Sequence, residues 1–363
     1  MIDGQMDIET ILSAKPLFKI DKHIRLIELF AGIGSQAMAL RDLGADFEQY
    51  KISEWEVSAD ASYNAIHNNK DFRNYGKGKS KEYLVRKLYK KGISTDGKRP
   101  MSYSEIKRKG FDWCLKTYNS FCQNQNLGSI TKMKGSSLRI VEKNKYCYII
   151  TYSFPCQDLS VAGKGAGMTK GSGTRSGLLW EVERLLNEVE NLPQVLLMEN
   201  VPQVHGTKNM ADFQKWIEFL DSKGYSNYWQ DLNAKDYGVA QNRNRCFMVS
   251  ILGHYDYKFP ETIPLTKTMK DYLESEVDEK YYINNEKAQK LIEQLIERGV
   301  LPESRAVTTQ LTSQDESKHS NVNELGFIEN GTGKHQSNTV YGTNGICPCE
   351  YSVQHKEPFK ILE

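Results

Sequence analysis

Long apolar runs are missing from this chain of 363 residues. No stretch of about 18 uninterrupted hydrophobic residues occurs, so a membrane-spanning helix is excluded. The amino terminus from Met1 to Lys19 mixes acids with short apolar runs. It lacks the basic, apolar and small-residue order of a secretory signal, and the cytoplasm is the expected compartment. Cysteine is sparse, with seven residues, an odd number without a repeated spacing. That argues against a secreted disulfide framework and for reduced thiols. Cys347-Pro348-Cys349 has no matching cysteine or histidine pair, so no metal is expected there. A dominant charge sign is also lacking, since 48 basic and 46 acidic residues leave a net charge of only +2. Whole-molecule charge therefore says little about partners, and its distribution matters more. The hydrophobic content and length suit a soluble globular protein of one large domain or two ordinary ones.

The segment Ile24 to Phe30 reads as a strand, and Ala31-Gly32-Ile33-Gly34-Ser35 as a tight turn into a helix from Gln36 to Leu43. A second strand near Glu48 to Ser53 ends at Glu54-Trp55, about 20 residues past the turn, where dinucleotide folds place a ribose-binding acid. The alternation then pauses. Over roughly 70–125 we expect an inserted helical subdomain with a basic face, carrying Lys77, Lys79, Arg86, Lys87, Lys90, Lys91 and Lys107-Arg108-Lys109. A solvated surface and direct phosphate contact are both open readings of it. Alternation resumes with the strand before Cys156, a helix from Leu178 to Glu190, a strand from Gln194 to Met198 and a helix from Ala211 to Lys223. Strands near 228–233 and 245–252 follow. This pattern implies an α/β fold with a Rossmann-like, doubly wound, mostly parallel sheet. Beyond Gly253 the sequence becomes turn-rich, with one clear helix from Asn285 to Arg298. The domain boundary is placed near 255, giving units of 1–255 and 256–363.

Four constellations carry chemical potential. The turn from Phe30 to Gly34 lets a ligand approach the backbone and aims helix N–H groups at it, while Glu54 can accept ribose hydroxyls and Trp55 can cover an adenine face. A plain strand-to-helix turn with a surface acid is the alternative. Tyr146 to Ser160 delivers Pro155 and Cys156 to the carboxyl end of a buried-looking strand, where open α/β sheets place their chemistry. Beyond it, residues 160–175 are glycine-rich and contain Lys164, Lys170 and Arg175, reading either as a mobile phosphate-seeking lid or as a plain surface loop. Glu199-Asn200-Val201 ends another strand, with Glu199 a proton donor or simply a solvated acid or helix cap. Finally Gln241-x-Arg243-x-Arg245 puts two arginines at strand alternation, able to fix a planar polar ligand or phosphate, or else ordinary surface residues.

Taken together and in this order, these residues resemble the cytosine-C5 DNA methyltransferase family, over roughly Arg25 to Leu252 apart from the basic insertion. Phe30-x-Gly32-x-Gly34 looks like its turn for the methionine part of S-adenosylmethionine, and Glu54-Trp55 like its ribose and adenine contacts. Pro155-Cys156-Gln157 looks like its nucleophile motif, and Glu199-Asn200-Val201 and Gln241-x-Arg243-x-Arg245 like its remaining catalytic signatures. The resemblance implies the class I methyltransferase fold and methyl transfer to carbon 5 of a flipped cytosine in a specific site of double-stranded DNA, through a Cys156 adduct at carbon 6. It implies that Glu199 acts near ring nitrogen 3, and that Arg245 holds the exocyclic oxygen side, with Arg243 and Gln241 organising the site. Pro155 shapes both the catalytic and the cofactor pockets, while Gln157, Ser160, Lys164 and Arg175 face the DNA. A restriction-modification, solitary or phage role fits equally.

Two departures from the family pattern stand out. Leu127-Gly128-Ser129-Ile130 resembles its third motif, so Ser129 stands where an aspartate is expected to receive the adenine amino group, which predicts weakened cofactor affinity through Ser129 and Ile130. Asn338 to Ile346 resembles part of a target-recognition region, yet the helix motif and the final motif expected after it are not found. Residues 256–363 are accordingly expected to be a partial, irregular recognition region. A second chain supplying the missing motifs, a catalytically silent DNA-binding remnant and a tRNA cytosine methyltransferase are the alternatives.

Overall fold

The computed structural model describes residues 15–68, 73–159, 166–276, 286–301, 322–327, 339–342, 345–347 and 360–362. The chain divides into two compact units, Met1–Asp231 with Arg245–Phe259, and Leu232–Asn244 with Pro260–Glu363. Residues 232–244, read from the sequence as part of the first unit, thus group with the second. The cause is local pairing with later residues: Ile263 N donates to Asp236 O at 2.8 Å, and Cys347 N donates to Ala240 O at 2.7 Å.

The first unit is built on a six-stranded sheet of order β2-β1-β3-β4-β6-β5. Its strands are β1 (His23–Leu29), β2 (Phe47–Ser53), β3 (Tyr146–Tyr152), β4 (Val195–Asn200), β5 (Tyr225–Asn233) and β6 (Asn244–Leu252). β1 pairs in parallel with β2 and β3, and β3 with β4, whereas β6 runs antiparallel to β4. Parallel neighbours need a crossover, supplied here by α1 (Ser35–Asp42), α2 (Val57–His67) and α6 (Leu179–Glu188), while α7 (Met210–Ser222) leads from β4 to β5, which are not adjacent. β3 shows why its sequence reads as a nearly continuous apolar run. Tyr148, Ile150 and Tyr152 pack in one core with Leu185 of α6 and Trp216 of α7, while Cys147 and Ile149 face another with Ala37 of α1. A strand covered on both sides has no polar face to show.

The register levels the strand ends. Ser53, Leu29, Tyr152 and Met198 are successive partners in one row across β2, β1, β3 and β4. Whatever follows each strand therefore emerges at the same edge of the sheet.

Between α2 and β3 lie three helices, α3 (Lys81–Lys91), α4 (Tyr103–Arg108) and α5 (Phe111–Gln123), inserted between strands of the sheet. Leu84, Val85 and Leu88 fall on one side of α3 and bury against Ile106, Cys114 and Phe121. Ser102 and Glu105 close a reciprocal capping box at the start of α4. In the second unit, β7 (Glu324–Phe327), β8 (Thr339–Gly342) and β9 (Lys360–Leu362) form a small sheet, and α8 (Glu286–Glu297) buries Ala288, Leu291 and Leu295 with Leu301 and Val340. No helix among the described residues is long and apolar enough to cross a membrane.

Candidate active site

Four segments leave the level edge, and two of them meet directly. After β1 the backbone turns left-handed at Phe30 (φ 58°), Gly32 (φ 55°) and Gly34 (φ 82°). The sequence reading carried the strand through Phe30; it ends one residue earlier because that residue already begins the turn. A Cβ on Gly32 meets nothing within 4 Å, so the turn presents an open cradle, whereas one on Gly34 falls 2.4 Å from His67 Nε2. Gly32 N donates to Glu54 Oε2 at 2.9 Å, and Glu56 N donates to Glu54 Oε1 at 2.7 Å. The cradle and the acid that follows β2 are thereby one hydrogen-bonded unit. Burial pushes the Glu54 carboxyl up to about 7, against the backbone donors that favour its charged form. Trp55 beside it is partly exposed.

Beneath the turn Glu28, at 1% exposure, accepts from Tyr63 Oη at 2.7 Å and from Ala37 N at 3.2 Å. Burial pushes this carboxyl up to about 7 as well. A further segment, residues 126–130 after α5, is fixed beside them by Asn126, which carries no motif. Its Oδ1 accepts from Glu54 N at 3.1 Å and from Gly128 N at 2.8 Å, and its Nδ2 donates to Glu54 O at 2.9 Å. Ser53 Oγ also donates to Gly128 O at 2.7 Å. Ser129 is thus brought beside Glu54, with its amide on Lys91 O at 2.7 Å and its hydroxyl 3.0 Å from Thr131 Oγ1, while Ile130 is buried in the core. In sequence Asn126 carries no special signal, standing two residues before Gly128.

The remaining segments build the Cys156 end. Pro155 and Cys156 follow β3 and remain partly exposed, as does Gln157. Asn200 Nδ2 donates to Phe154 O at 3.0 Å, and Ser176 Oγ donates to Pro155 O at 2.6 Å. The Asn200 bond ties the end of β4 to the cysteine loop. One residue earlier, Glu199 Oε1 lies 3.0 Å from Arg245 Nε, both side chains largely covered. The reversed direction of β6 makes this pair possible, since Asn200 lies opposite Cys246 and the strand's first residues return to the site edge.

Arg175 is exposed, its amide donating to Asp158 Oδ2 at 2.6 Å and its guanidinium 3.5 Å from Asp158 Oδ1. Ser160 and Lys164 lie outside the described residues. Arg243 precedes β6, so the strand alternation assumed for it and Arg245 does not apply: its amide instead closes on Asn233 Oδ1 at 3.0 Å. Gln241 and Arg243 belong to the second unit, where Gln241 bridges to Cys347.

The model of the C-5 cytosine-specific DNA methylase family matches residues 90–359. The chain is 40% identical over 267 residues to the orphan methyltransferase M.SssI of Spiroplasma monobiae, covering 73% of this chain and 68% of that protein. It is 37% identical over 268 residues to the type II methyltransferase M2.ScrFI of Lactococcus lactis subsp. cremoris, covering 72% and 71% respectively.

Proposed function

Because the chain belongs to the C-5 cytosine-specific DNA methylase family, we propose that it methylates carbon 5 of a cytosine in double-stranded DNA, with S-adenosylmethionine as methyl donor and Cys156 as nucleophile. The observation that carries the proposal is the Asn200 bond to Phe154 O, which joins the strand end bearing Glu199 to the loop bearing Cys156.

The residues present suit the donor. Gly32 leaves open space above a left-handed turn, and the Glu54 carboxylate beside it is an acceptor for paired ribose hydroxyls. Trp55 offers an aromatic face at the same end, and Ser129 a hydroxyl where an adenine amino group is expected. When bound, the donor supplies an electrophilic methyl group.

Carbon 5 of cytosine is a weak nucleophile, so the chain must first raise its electron density. The Cys156 thiolate adds to carbon 6, forming a sulfur–carbon bond and placing carbanion character on carbon 5. Glu199, beside ring nitrogen 3, stabilises the charge that develops there, and Arg245 orients the Glu199 carboxyl through the 3.0 Å contact. After carbon 5 has taken the methyl group it still carries its hydrogen. Loss of that proton to a base returns the electron pair to the ring, and the sulfur–carbon 6 bond breaks to release Cys156. The target atom is stacked inside a duplex, so the nucleotide is turned out of the helix to reach the thiol. Gln157 and Arg175, together with Ser160 and Lys164, are proposed to face the DNA, and Gln241 and Arg243 to organise the pocket.

The test is transfer of labelled methyl groups to duplex DNA, together with trapping on 5-fluorocytosine DNA, whose carbon 5 cannot lose a proton. Wild type is expected to transfer label and to give a denaturation-resistant adduct, and Cys156→Ser to do neither. Equal incorporation by the two proteins overturns the mechanism.

A further inference from the structure

The charges of the inserted subdomain are lopsided in a way its fold does not require. Between Arg73 and Tyr118 there are fourteen lysines and arginines against four acids, an excess of ten. The whole chain carries only +2, so everything outside this segment is net negative by eight. A polyanion approaching the protein finds its net attraction here.

Packing leaves these charges available. The buried positions of α3 and α4 are Leu84, Val85, Leu88 and Ile106, and the cations Arg86, Lys90, Lys107 and Arg108 are exposed on the outward sides of those helices. The two helices are joined by the Tyr103 hydroxyl bond to Glu82 and by the edge-on Tyr89–Tyr103 contact, with ring centres 5.5 Å apart. Among the described residues, the ion pair found within the insertion is Arg99 with Glu105, which uses neither α3 nor the end of α4. An excess of ten cations therefore remains on this segment, and folding alone gives no reason for it.

Position supplies the second argument. Ser94 N donates to Trp55 O at 2.8 Å, Val57 N donates to Ser94 O at 2.9 Å, and Leu127 N donates to Ile52 O at 2.8 Å. The insertion is thus anchored at both ends to the carboxyl end of β2, one residue from Glu54, on the edge that also carries Cys156.

We propose that the outward faces of α3 and α4 grip the phosphate backbone of duplex DNA beside the target base, through Arg86, Lys90, Lys107 and Arg108. This rests on the proposed function, since it assumes that duplex DNA is the substrate. The contact is to phosphates and carries no sequence information, so it adds affinity and residence without selecting a site.

Four substitutions made together, Arg86→Gln, Lys90→Gln, Lys107→Gln and Arg108→Gln, test it in the full chain. The control carries Lys19, Lys134, Lys145 and Lys215, exposed cations of the same unit, changed to Gln. Binding of a duplex of about 30 base pairs without a methylation site is measured across a salt series, with melting curves to check folding. Each phosphate contact contributes about 0.9 to the slope of log affinity against log salt, so the insertion variant is expected to lose about 3 to 4 from that slope and the control much less. An unchanged slope in a folded insertion variant, or equal losses in variant and control, overturns the grip while leaving the methyltransferase reading intact. A wild-type protein that binds no duplex DNA overturns both.

Discussion

Arg245 Nε sits 3.0 Å from Glu199 Oε1, a contact between two strands that run in opposite directions. Because β6 enters the sheet at the edge where β4 leaves it, an arginine near the start of one meets an acid near the end of the other. Replacing Arg245 by alanine removes its 3.0 Å contact with the Glu199 carboxyl. The expected result is a fall in kcat of about 10² to 10³ with donor affinity little changed. Single-turnover kinetics with saturating donor measure it.

Asn200 is a positioning residue, since it acts on the cysteine loop through Phe154 O. Asn200→Ala leaves that buried carbonyl without its partner and is expected to cost about 1–3 kcal/mol of stability. The rate of adduct formation on 5-fluorocytosine DNA is expected to drop more than donor affinity, and Asn200→Asp is not expected to restore it, because a carboxylate cannot donate. An adduct rate equal to wild type would remove Asn200 from the site.

The two glycines of the turn separate fold from ligand. Gly34→Ala places a Cβ 2.4 Å from His67 Nε2 at a positive φ, and is expected to destabilise the chain by about 2–4 kcal/mol. Gly32→Ala meets no protein atom and is expected to cost about 1–2 kcal/mol. Its Cβ fills the open cradle, however, and donor affinity is expected to fall at least about tenfold. Chemical denaturation and calorimetric titration of the donor distinguish the two.

Burial holds the Glu28 carboxyl at about 7, above its ordinary value of 4.5. The folded state thus keeps a proton that the unfolded state releases, so this group's contribution is fully present below about 4.5 and lost as pH rises through about 7. Stability of the ligand-free chain is expected to decline across that window by up to about 3 kcal/mol on this account. Glu28→Gln, which keeps an acceptor oxygen for Ala37 N and can donate from its amide nitrogen to Tyr63 Oη, is expected to flatten the decline. A pH series of denaturant midpoints for both proteins checks the sign and the size.

The mostly parallel sheet and the position of Cys156 just past a strand could be read from alternation and from Pro155, whereas the strand read as ending at Met198 runs on through Glu199 to Asn200. These signals are local, set by periodicity and by restricted backbone. Asn126 was not legible, because its importance lies in bonds to Glu54 and Gly128 that exist only once β2 and the segment after α5 have come together. The reversal of β6 was hidden for a related reason: strand composition does not encode direction when the strand is buried. Arg243 shows the converse, since the alternation assumed for it fails where its amide is drawn to Asn233 instead of a strand neighbour.

The level row of Ser53, Leu29, Tyr152 and Met198 turns the sheet into a ruler. Glu54, just past the end of β2, and Glu199, still within β4, lie one residue beyond the two ends of that row, separated by three inter-strand steps of about 4.8 Å, or roughly 14 Å. That separation is fixed by backbone hydrogen bonds and not by any loop. It is already present before a ligand arrives, and substitutions in the loops leave this spacing between the two acids unaltered.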